Sequence, residues 1–438
     1  ILASEGSSIS NLFTVEAGAQ VEFTGKLVLS GRYHTGGVVD NKGTVILSGD
    51  AVVQDSKITG SSSGVINTHG EGAKFVMEGG SVRENEIDTE GQYNGIVRIA
   101  DGAVFEMSGG SIAENSAEEA DYLNNSSGVL LQGKASGTMA GGNISNNQGI
   151  RGTAIYLRGD YEFDPETRTR FTLKKGLIQG NGSTTDIHSS GAVYIEDNAT
   201  FFMDGGTITD NHTFGSRYSG GAGGGVCVVD SGLNSGLKSI EKIECKTEFI
   251  MNGGEISNNS ALKGGGVYSF TNSAVLNAGT IKGNHAADHG GGVYSEGNYD
   301  SYSTLHLGNA LVTGNTAQQG GGMWFCATGE TTVYVTEGAA IFDNTAEDNR
   351  TLPHLKGAGD DFVFTSPASE STHSATLAER MLGGGAVQWM KDGRVTYSSL
   401  SGGVVPSTDP DTPRYGQEGA EQEPVHLQNA SGTCYALK

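Results

Sequence analysis

Three acidic residues, Asp288, Glu296 and Asp300, lie close together along the sequence and include a candidate catalytic pair. Hydrolysis of a glycosidic bond uses two flanking carboxyl groups, roughly 5 Å apart in retaining enzymes and roughly 6.5–9.5 Å apart in inverting enzymes. Asp288 with Glu296 or Asp300 supplies two such groups. The chain contains 50 acidic residues, however, and exposed carboxylates need no catalytic role. Two interpretations of this cluster are therefore open: a catalytic pair, or acidic residues that lie close together by chance.

A set of aromatic residues follows a glycine-rich phrase at intervals. Each aromatic comes one position after an apolar residue, so strand alternation directs it outward when the apolar residue points inward. An outward ladder of this kind, beside acidic and amide groups, can stack against sugar rings. It can equally stabilise neighbouring strands without a ligand. The aromatic residues at this position are Tyr156, Tyr194, Tyr268, Tyr294 and Trp324.

A second phrase recurs nine times between residues 79 and 344 and indicates a repeat architecture. In each copy a small residue, usually Gly, precedes a β-branched residue that stands three positions before Asn. The spacing between copies is 25 to 34 residues, apart from one spacing of 48, which is the range of solenoids and repeat arrays. The copies end at Asn85, Asn115, Asn147, Asn181, Asn211, Asn259, Asn284, Asn315 and Asn344.

Each period contains three short strand candidates separated by Gly, Asn, Ser and Asp turns, with almost no helix signal. This pattern predicts an all-β fold, a right-handed parallel β-helix with three-strand rungs, roughly eleven turns, loop insertions and an irregular C-terminal extension. The β-branched residues, Ile256 among them, are expected to point inward, and the Asn residues to form stacked amide ladders. Glu196 and Glu296 would then lie three rungs apart, about 14 Å, too far for one catalytic pair.

The alternation of GGxI with a pattern ending in Asn resembles the repeats of chlamydial polymorphic outer-membrane proteins and of GGxIxxN/GGGVY surface proteins from gut and oral bacteria. The resemblance covers about residues 42–351, although this chain has Ile or Val where the chlamydial repeats often carry Phe. It implies an extracellular β-helix on a bacterial cell surface, an adhesin that binds host or dietary glycans or a host surface glycoprotein. Bacterial lacto-N-biosidases are similar in architecture, so a glycoside hydrolase acting on oligosaccharides is the alternative. A passive stalk is a third option.

Composition narrows the choice of partner. The formal net charge of −23 and the pI near 4.7 argue against nucleic acid and favour neutral or basic glycans over uronic acids. No apolar run approaches the roughly 20 residues that a membrane-spanning helix needs. The sequence does not start with the basic and apolar segments of a signal peptide, so a chain that begins at Ile1 is expected to be processed or truncated.

No cofactor is expected from the repeats. Calcium would suit the carboxylates of Asp360 and Asp361, which stand among glycines and turn carbonyls. Zinc is not expected, because the cysteines show no CxxC spacing. Cys227 and Cys245 bracket the longest insertion, and either a disulfide between them or a packed thiol at Cys227 would fit. The four cysteines are Cys227, Cys245, Cys326 and Cys434.

Composition also changes along the chain. Insertions at 158–172 and 212–247 interrupt the repeat and are expected to form loops. A capping box and a following glycine predict a short helix at 376–382, and residues 401–424 have the composition of a linker. The expected divisions are residues 1–41 as an N-terminal cap or first rungs, residues 42–351 as the β-helix repeats, and residues 352–438 as a C-terminal cap and linker-like extension.

Overall fold

A computed structural model describes most of the chain between residues 11 and 437. Within the described residues every regular element is a β-strand, and there is no α-helix. The described ranges are 11–31, 36–89, 93–117, 124–159, 167–183, 189–216, 219–230, 247–271, 273–296, 302–325, 330–335, 338–348, 357–364, 374–377, 380, 384–390, 392, 396–400, 403–407, 424–425 and 435–437.

The chain divides into two compact units, residues 1–221 and residues 222–438. In both units, equivalent strands of successive turns pair in parallel, so each is a β-solenoid. The units together contain about nine turns, slightly fewer than the eleven predicted. The predicted fold class, an all-β parallel solenoid built from stacked sheets, is confirmed.

Sheet 1 contains the strands that carry the aromatic positions. Parallel pairing keeps equivalent residues in register, as between Ile155 and Val193 in the first unit and between Val267 and Val293 in the second. Its strands in the first unit are Asn11–Val15, Gly37–Asn41, Gly64–His69, Gly95–Ala100, Ser126–Gln132, Ile155–Arg158 and Val193–Glu196. In the second unit they are Val226–Val229, Val267–Phe270, Val293–Ser295, Met323–Phe325 and Phe362–Phe364.

Sheet 2 takes two strands from most turns, an apolar alternating strand and the strand with the inward Ile or Val. In some turns the two merge into one long strand. Its strands in the first unit are Gln20–Phe23, Val28–Ser30, Thr44–Leu47, Val52–Gln54, Lys74–Met77, Ser81–Arg83, Val104–Met107, Ser111–Ala113, Ser136–Ser145, Arg170–Gln179, Thr200–Met203 and Thr207–Thr209. In the second unit they are Glu248–Met251, Glu255–Ser257, Ser273–Lys282, Tyr302–Thr313, Glu330–Val335, Ala340–Phe342 and Ser374–Thr376.

Sheet 3 consists of shorter strands that follow the Asn positions. They are Lys57–Ile58, Glu86–Ile87 and Ser116–Ala117 in the first unit, and Ser260–Lys263, His285–His289, Thr316–Gln319 and Thr345–Ala346 in the second. The remaining strands pair antiparallel: Gly215–Ser216 with Ser219–Gly220, Thr396–Leu400 with Gly403–Ser407, Trp389–Met390 with Pro424–Val425, and Tyr435–Leu437 with Phe362–Phe364.

The core is a set of identical side chains stacked from turn to turn. Phe75 stacks on Phe105 with ring centroids 5.8 Å apart, and Phe171 stacks on Phe201 at 5.9 Å. Gly137 lies between Phe105 and Phe171 in the same register, where a Cβ would come within 2.4 Å of the Phe171 ring. Alternation in sheet 2 thus places one apolar face in the interior, which replaces the single core of a globular domain.

The predicted Asn ladders are confirmed, and Ile256 is fully buried as predicted. Within each unit, a ladder Asn donates from Nδ2 to Oδ1 of the Asn that follows it at 2.9–3.0 Å, and that same Oδ1 accepts the backbone N–H of the preceding Asn at 2.9–3.1 Å. The ladder of the first unit contains Asn85, Asn115, Asn147, Asn181 and Asn211, and that of the second contains Asn259, Asn284, Asn315, Asn344 and finally Asp361.

The residue before each ladder Asn has a left-handed backbone. Glu84, Asn146 and Asp343 have φ of +53°, +56° and +56°, values that side chains larger than Gly, Asn and Asp rarely adopt. Gly180 and Gly283 take the same position with φ of +65° and +63°. This preference explains why Gly, Asn or Asp precedes the ladder Asn in seven of the nine repeats; Glu precedes it in the other two.

The C-terminal region departs from the predictions. The predicted helix at 376–382 is wrong, because Ser374–Thr376 is a strand paired in parallel with Glu330–Val335 and Arg380 forms an antiparallel bridge with Ala386. An available sheet edge outweighs the local capping signal. Parallel pairing also continues past residue 352 through Phe362–Phe364. Within the predicted linker, residues 403–407 form one strand of a hairpin, and residues 408–423 lie outside the described ranges.

The predicted first rungs and loops fall partly within the described ranges. Asn11–Val15 pairs in parallel with Gly37–Asn41, so residues 11–41 contain solenoid strands. Residues 160–166 and 231–246, the central parts of the two predicted insertions, lie outside the described ranges.

Candidate functional site

A glycine turn joins sheet 3 to sheet 1 and brings two rows of side chains together in the second unit. Gly264, Gly290 and Gly320 begin these turns with φ of +64°, +65° and +63°, where a Cβ is strained. A Cβ on Gly265 would lie 2.4 Å from the carbonyl oxygen of His285. Larger residues are therefore excluded, and the end of sheet 3 lies close to the start of sheet 1.

The row on sheet 1 is a stack of three aromatic rings. The centroids of Tyr268 and Tyr294 are 5.3 Å apart with 6° between their planes, and those of Tyr294 and Trp324 are 4.8 Å apart with 7°. Tyr294 and Trp324 are 2% and 6% exposed and pack with Ala358 and Val363. Tyr268, at the other end, is partly exposed. The stack thus presents one partly open ring to solvent.

The row on sheet 3 contains Lys263, His289 and Gln319, which are aligned in register. Lys263 Nζ lies 5.3 Å from the centroid of the Tyr294 ring, and the His289 ring lies 4.5 Å from that of Trp324. Each of these two side chains therefore covers the aromatic ring of the following turn. The second-unit corner is the set Lys263, Tyr268, Asp288, His289, Tyr294, Glu296, Gln319 and Trp324.

Two carboxylates are held at this corner. Asp288 Oδ2 lies 3.0 Å from Nδ1 of His289, and the Tyr268 hydroxyl donates to Oε2 of Glu296 at 3.0 Å. The structure therefore joins Asp288 and Glu296 to the aromatic stack through His289 and Tyr268. Asp300, the third predicted acid, lies outside the described residues. The catalytic role of these acids stays a prediction.

The aromatic ladder is less exposed than the sequence suggested. Strand alternation does direct the rings away from the core, but the glycine turn brings sheet 3 side chains over them. Tyr156, Tyr194, Tyr294 and Trp324 are buried, and Tyr268 alone among the five predicted ladder residues is partly exposed. Their assignment to glycan binding stays a prediction, and Tyr268 is the ring best placed to test it.

The first unit builds a different corner at the equivalent position of its repeat. Gly152, with φ of +50°, follows Arg151 and begins the turn into sheet 1. Tyr156 and Tyr194 are in register, but their rings meet edge to face, 5.3 Å apart with 77° between planes. The guanidinium carbon of Arg151 lies 5.6 Å from the Tyr194 centroid. The first-unit corner is the set Arg151, Tyr156, Arg158, Tyr194, Glu196 and Asp197.

A buried carboxyl group lies at the centre of the first-unit corner. Tyr156 donates its hydroxyl hydrogen to Oε1 of Glu196. Arg158 Nε lies 3.8 Å from Glu196 Oε1 and 3.5 Å from Asp197 Oδ2. Burial, and secondarily the charge of Asp197, raises the pKa of Glu196 above its ordinary value although the Tyr156 hydrogen bond and the nearby arginines lower it. Burial also holds the pKa of Tyr156 well above its usual range.

A carboxyl group with a raised pKa is suited to donating a proton, so Glu196, which the sequence considered only as a partner of Glu296, is a candidate acid within its own corner. The hydrogen bond that marks it joins residues 40 positions apart. The available signal was its place two residues after Tyr194, on the same outer face of the strand.

The predicted calcium ligands take part in protein hydrogen bonds. Asp361 Oδ1 accepts from the backbone N–H and the Nδ2 of Asn344 at 3.1 and 2.9 Å, and Asp360 Oδ1 accepts from the backbone N–H of Ala346 at 2.9 Å. Asp361 thus extends the Asn ladder. Among the described residues no group of three or more His, Cys, Asp or Glu side chains could hold a metal ion. The carboxylate pair alone offers calcium few of the six to eight oxygen ligands it takes.

The predicted disulfide cannot be placed on the described residues. Cys227 is buried in sheet 1 at the position that an aromatic takes in other turns. Cys245, Cys326 and Cys434 lie outside the described ranges. The pairing of Cys227 with Cys245 therefore stays a prediction.

No protein-family model, curated protein or solved structure matches this sequence. Across the described ranges, no helix has the length and apolar character needed to cross a bilayer. Function is therefore inferred from the chemistry of the two corners.

Proposed function

We propose that this protein is a carbohydrate-binding β-solenoid and that a glycan binds at the second-unit corner. The observation that carries the proposal is the partly exposed Tyr268 ring at the end of a near-parallel aromatic stack, with Glu296 hydrogen-bonded to its hydroxyl. An aromatic face packs against the C–H groups of a sugar ring, while neighbouring polar groups hydrogen-bond its hydroxyls. Tyr268 supplies the aromatic face, and Glu296 supplies a neighbouring polar group.

The surroundings of Tyr268 support a preorganised site. Tyr294 and Trp324 fix the ring plane from behind, and the bond to Glu296 fixes its hydroxyl. Binding then orders few side chains that were free before, which lowers its entropic cost. Asp288 and His289 add a polar pair that is itself partly exposed. The face of Tyr268 can therefore bind a sugar ring without rearrangement of the aromatic stack.

The net charge indicates which class of glycan binds, and the type of repeat indicates where the protein acts. A net charge of −23 repels uronic acids and sulfated sugars, so the ligand is a neutral or amino-containing glycan. The resemblance of the repeat to bacterial polymorphic outer-membrane proteins supports an extracellular adhesin that binds host or dietary glycans. Both points extend the proposal and rest on composition and repeat pattern.

A binding assay with a matched control tests the proposal. We expect Tyr268→Ala to weaken binding of a neutral oligosaccharide by about 1–3 kcal/mol, the size of aromatic stacking contributions, as measured by isothermal titration calorimetry. Tyr334→Ala is the control, because Tyr334 is a 43% exposed tyrosine on sheet 2. Equal affinities for parent and both variants across neutral and amino-containing oligosaccharides would contradict binding at this corner.

A glycoside hydrolase is a second candidate, favoured by one observation. Asp288 and Glu296 are both anchored at the aromatic stack, one by His289 and the other by Tyr268. If they are the catalytic acids, Asp288→Asn and Glu296→Gln each abolish product release and leave glycan binding intact, because the carboxylates act in the transition state. Product analysis of the parent with oligosaccharides by chromatography decides between the candidates, since a binding protein releases none.

A further inference from the structure

Among the described residues of the second-unit corner, three polar side-chain atoms are buried without a hydrogen-bond partner: Nδ1 of His289, which lies 3.0 Å from Oδ2 of Asp288, Nε1 of Trp324 and Oε1 of Gln319. Trp324 is 6% exposed and Gln319 is 2% exposed. Within the described part of the chain, neither Nε1 of Trp324 nor Oε1 of Gln319 has a hydrogen-bond partner. Buried polar atoms are satisfied in the great majority of cases, and an unsatisfied one is costly. One donor and one acceptor left unsatisfied in the same corner therefore need an explanation.

Trp324 Nε1 and Gln319 Oε1 belong to residues that both border His289. Gln319 is the register partner of His289 on sheet 3. The Trp324 ring lies 4.5 Å from the His289 ring, with 56° between the planes. Asp288 contacts His289 at Nδ1, at 3.0 Å. The two residues that carry the unsatisfied donor and acceptor are thus both neighbours of His289, beside the aromatic stack.

The chemistry of the pair selects a class of ligand group. Indole Nε1–H can only donate, and an amide Oε1 can only accept. A hydroxyl group does both, whereas a carboxylate cannot donate to Gln319 and an ammonium cannot accept from Trp324. The pair therefore matches a neutral hydroxyl and excludes both kinds of charged group.

We propose that Trp324 Nε1 and Gln319 Oε1 form a hydroxyl-recognition subsite for the glycan, in which one sugar hydroxyl accepts from Trp324 and donates to Gln319. This inference rests on the proposed glycan-binding function and deepens it. It names two specificity residues beyond the platform ring Tyr268, and it restricts the group that they recognise to a neutral hydroxyl. A site that hydrogen-bonds a hydroxyl discriminates strongly against an analogue without it, because the buried atoms then stay unpaired.

The chain contains two tryptophans, which allows a direct optical test. In a Trp389→Phe background, Trp324 is the sole tryptophan, and its fluorescence reports on the corner. The probes are methyl glycosides of glucose, galactose and N-acetylglucosamine, with the monodeoxy analogues of whichever glycoside binds. We expect binding to change Trp324 emission, and we expect one monodeoxy analogue to bind at least tenfold more weakly than its parent glycoside.

Calorimetry with two near-isosteric variants assigns that hydroxyl. Trp324→Phe keeps an aromatic ring and removes Nε1–H, and Gln319→Met keeps the side-chain length and removes Oε1. Each should weaken binding of the full glycoside about threefold to tenfold, in line with one hydrogen bond. Neither should weaken binding of the critical deoxy analogue further. Trp389→Phe is the control and should bind as the parent does.

The outcomes separate the inference from the proposed function. If Tyr268→Ala weakens glycoside binding but Trp324→Phe and Gln319→Met do not, the subsite is overturned and the glycan-binding proposal stands. If the parent binds none of these glycosides, the subsite is overturned, and the glycan-binding proposal is decided by the calorimetry with oligosaccharides. Thermal unfolding of the unliganded variants adds a check that needs no ligand. Gln319→Met keeps the side-chain length and removes no hydrogen bond of Oε1, so it should melt no lower than the parent, and a clear fall in its melting temperature would show that Oε1 already has a partner.

Discussion

The two corners have the same backbone turn and the same tyrosine-to-glutamate hydrogen bond, and they differ in how the surrounding side chains are arranged. Both begin with a glycine at positive φ, and both align aromatic residues in register on sheet 1. The first-unit corner has edge-to-face tyrosines around the buried carboxyl of Glu196. The second-unit corner has parallel rings covered by Lys263 and His289. The comparison teaches that stacking constrains the side chains that point into a solenoid from turn to turn. Side chains that point outward can differ between turns and can acquire separate chemistry.

The largest expected effect comes from substitutions in the stacked apolar core, which both units have. Ile178→Asp in the first unit and Ile256→Asp in the second each bury a charge among stacked apolar residues, and each should destabilise the fold by more than about 4 kcal/mol. Chemical denaturation followed by circular dichroism measures the loss. Val28→Asp, at a 41% exposed site on sheet 2, should change stability by about 0.5 kcal/mol or less. Equal stability of Ile256→Asp and the parent would mean that Ile256 does not face the interior.

The Asn ladders should give the next largest effect, again in both units. Asn181→Ala and Asn284→Ala each remove an amide that donates along the ladder and accepts a buried backbone N–H. We expect each to cost about 2–3 kcal/mol, since buried partners are left unsatisfied. Asn277→Ala removes an exposed hydrogen bond between the side-chain amides of Asn277 and Asn252, and it should cost about 0.5 kcal/mol. A similar loss for buried and exposed amides in urea denaturation would contradict a structural role for the ladders.

Titration tests the buried carboxyl group that sets the first-unit corner apart. The pKa of Glu196 is raised in the folded state, so its neutral form contributes stability below its ordinary pKa of 4.5, and this contribution is lost as the pH rises through the folded pKa. Glu196→Gln should therefore stabilise the protein near neutral pH and flatten that loss. Glu255 is the control with the opposite sign. Its hydrogen bond to Lys282 lowers its pKa, so its contribution is present above pH 4.5 and lost as the pH falls.

Melting temperature measured from about pH 3 to pH 8 checks both signs, because the Glu255 contribution is lost below pH 4.5. The parent should lose more melting temperature than Glu196→Gln as the pH rises above 4.5. Glu255→Gln should instead reduce the loss on acidification. A Glu196→Gln variant that follows the parent at every pH would show that burial does not raise the pKa of this carboxyl group.

The smallest expected effect concerns the cations that cover the rings. Lys263→Met keeps most of the apolar stem and removes the charge over Tyr294, so it should cost about 0.5–1 kcal/mol. Arg151→Met should cost more, because Arg151 also donates to Asn124 Oδ1 at 2.8 Å. Urea denaturation of the two variants measures the difference. A larger loss of stability for Lys263→Met than for Arg151→Met would contradict this order.

The positions of the inward-facing side chains could be predicted from the sequence, and the contacts of the outward-facing side chains could not. Ile256 and the Asn ladder could be predicted because every turn offers the same environment, so a repeated residue type has a repeated role. The position of His289 against Trp324 could not, because it depends on how sharply the glycine turn bends the chain. The bond between Tyr156 and Glu196 joins adjacent turns across an insertion, and no local pattern marks it. The predicted helix at 376–382 failed because strand pairing outweighed a short local signal.

Hydrogen–deuterium exchange with and without a bound neutral oligosaccharide tests the central claim most directly. Peptides that cover residues 263–270, 289–296 and 319–325 contain the second-unit corner, and residues 151–158 and 193–197 are the internal control in the first unit. A glycan bound at the second-unit corner slows exchange in the first group and leaves the control peptides unchanged. Protection confined to the first-unit corner, or to neither corner, would contradict the account.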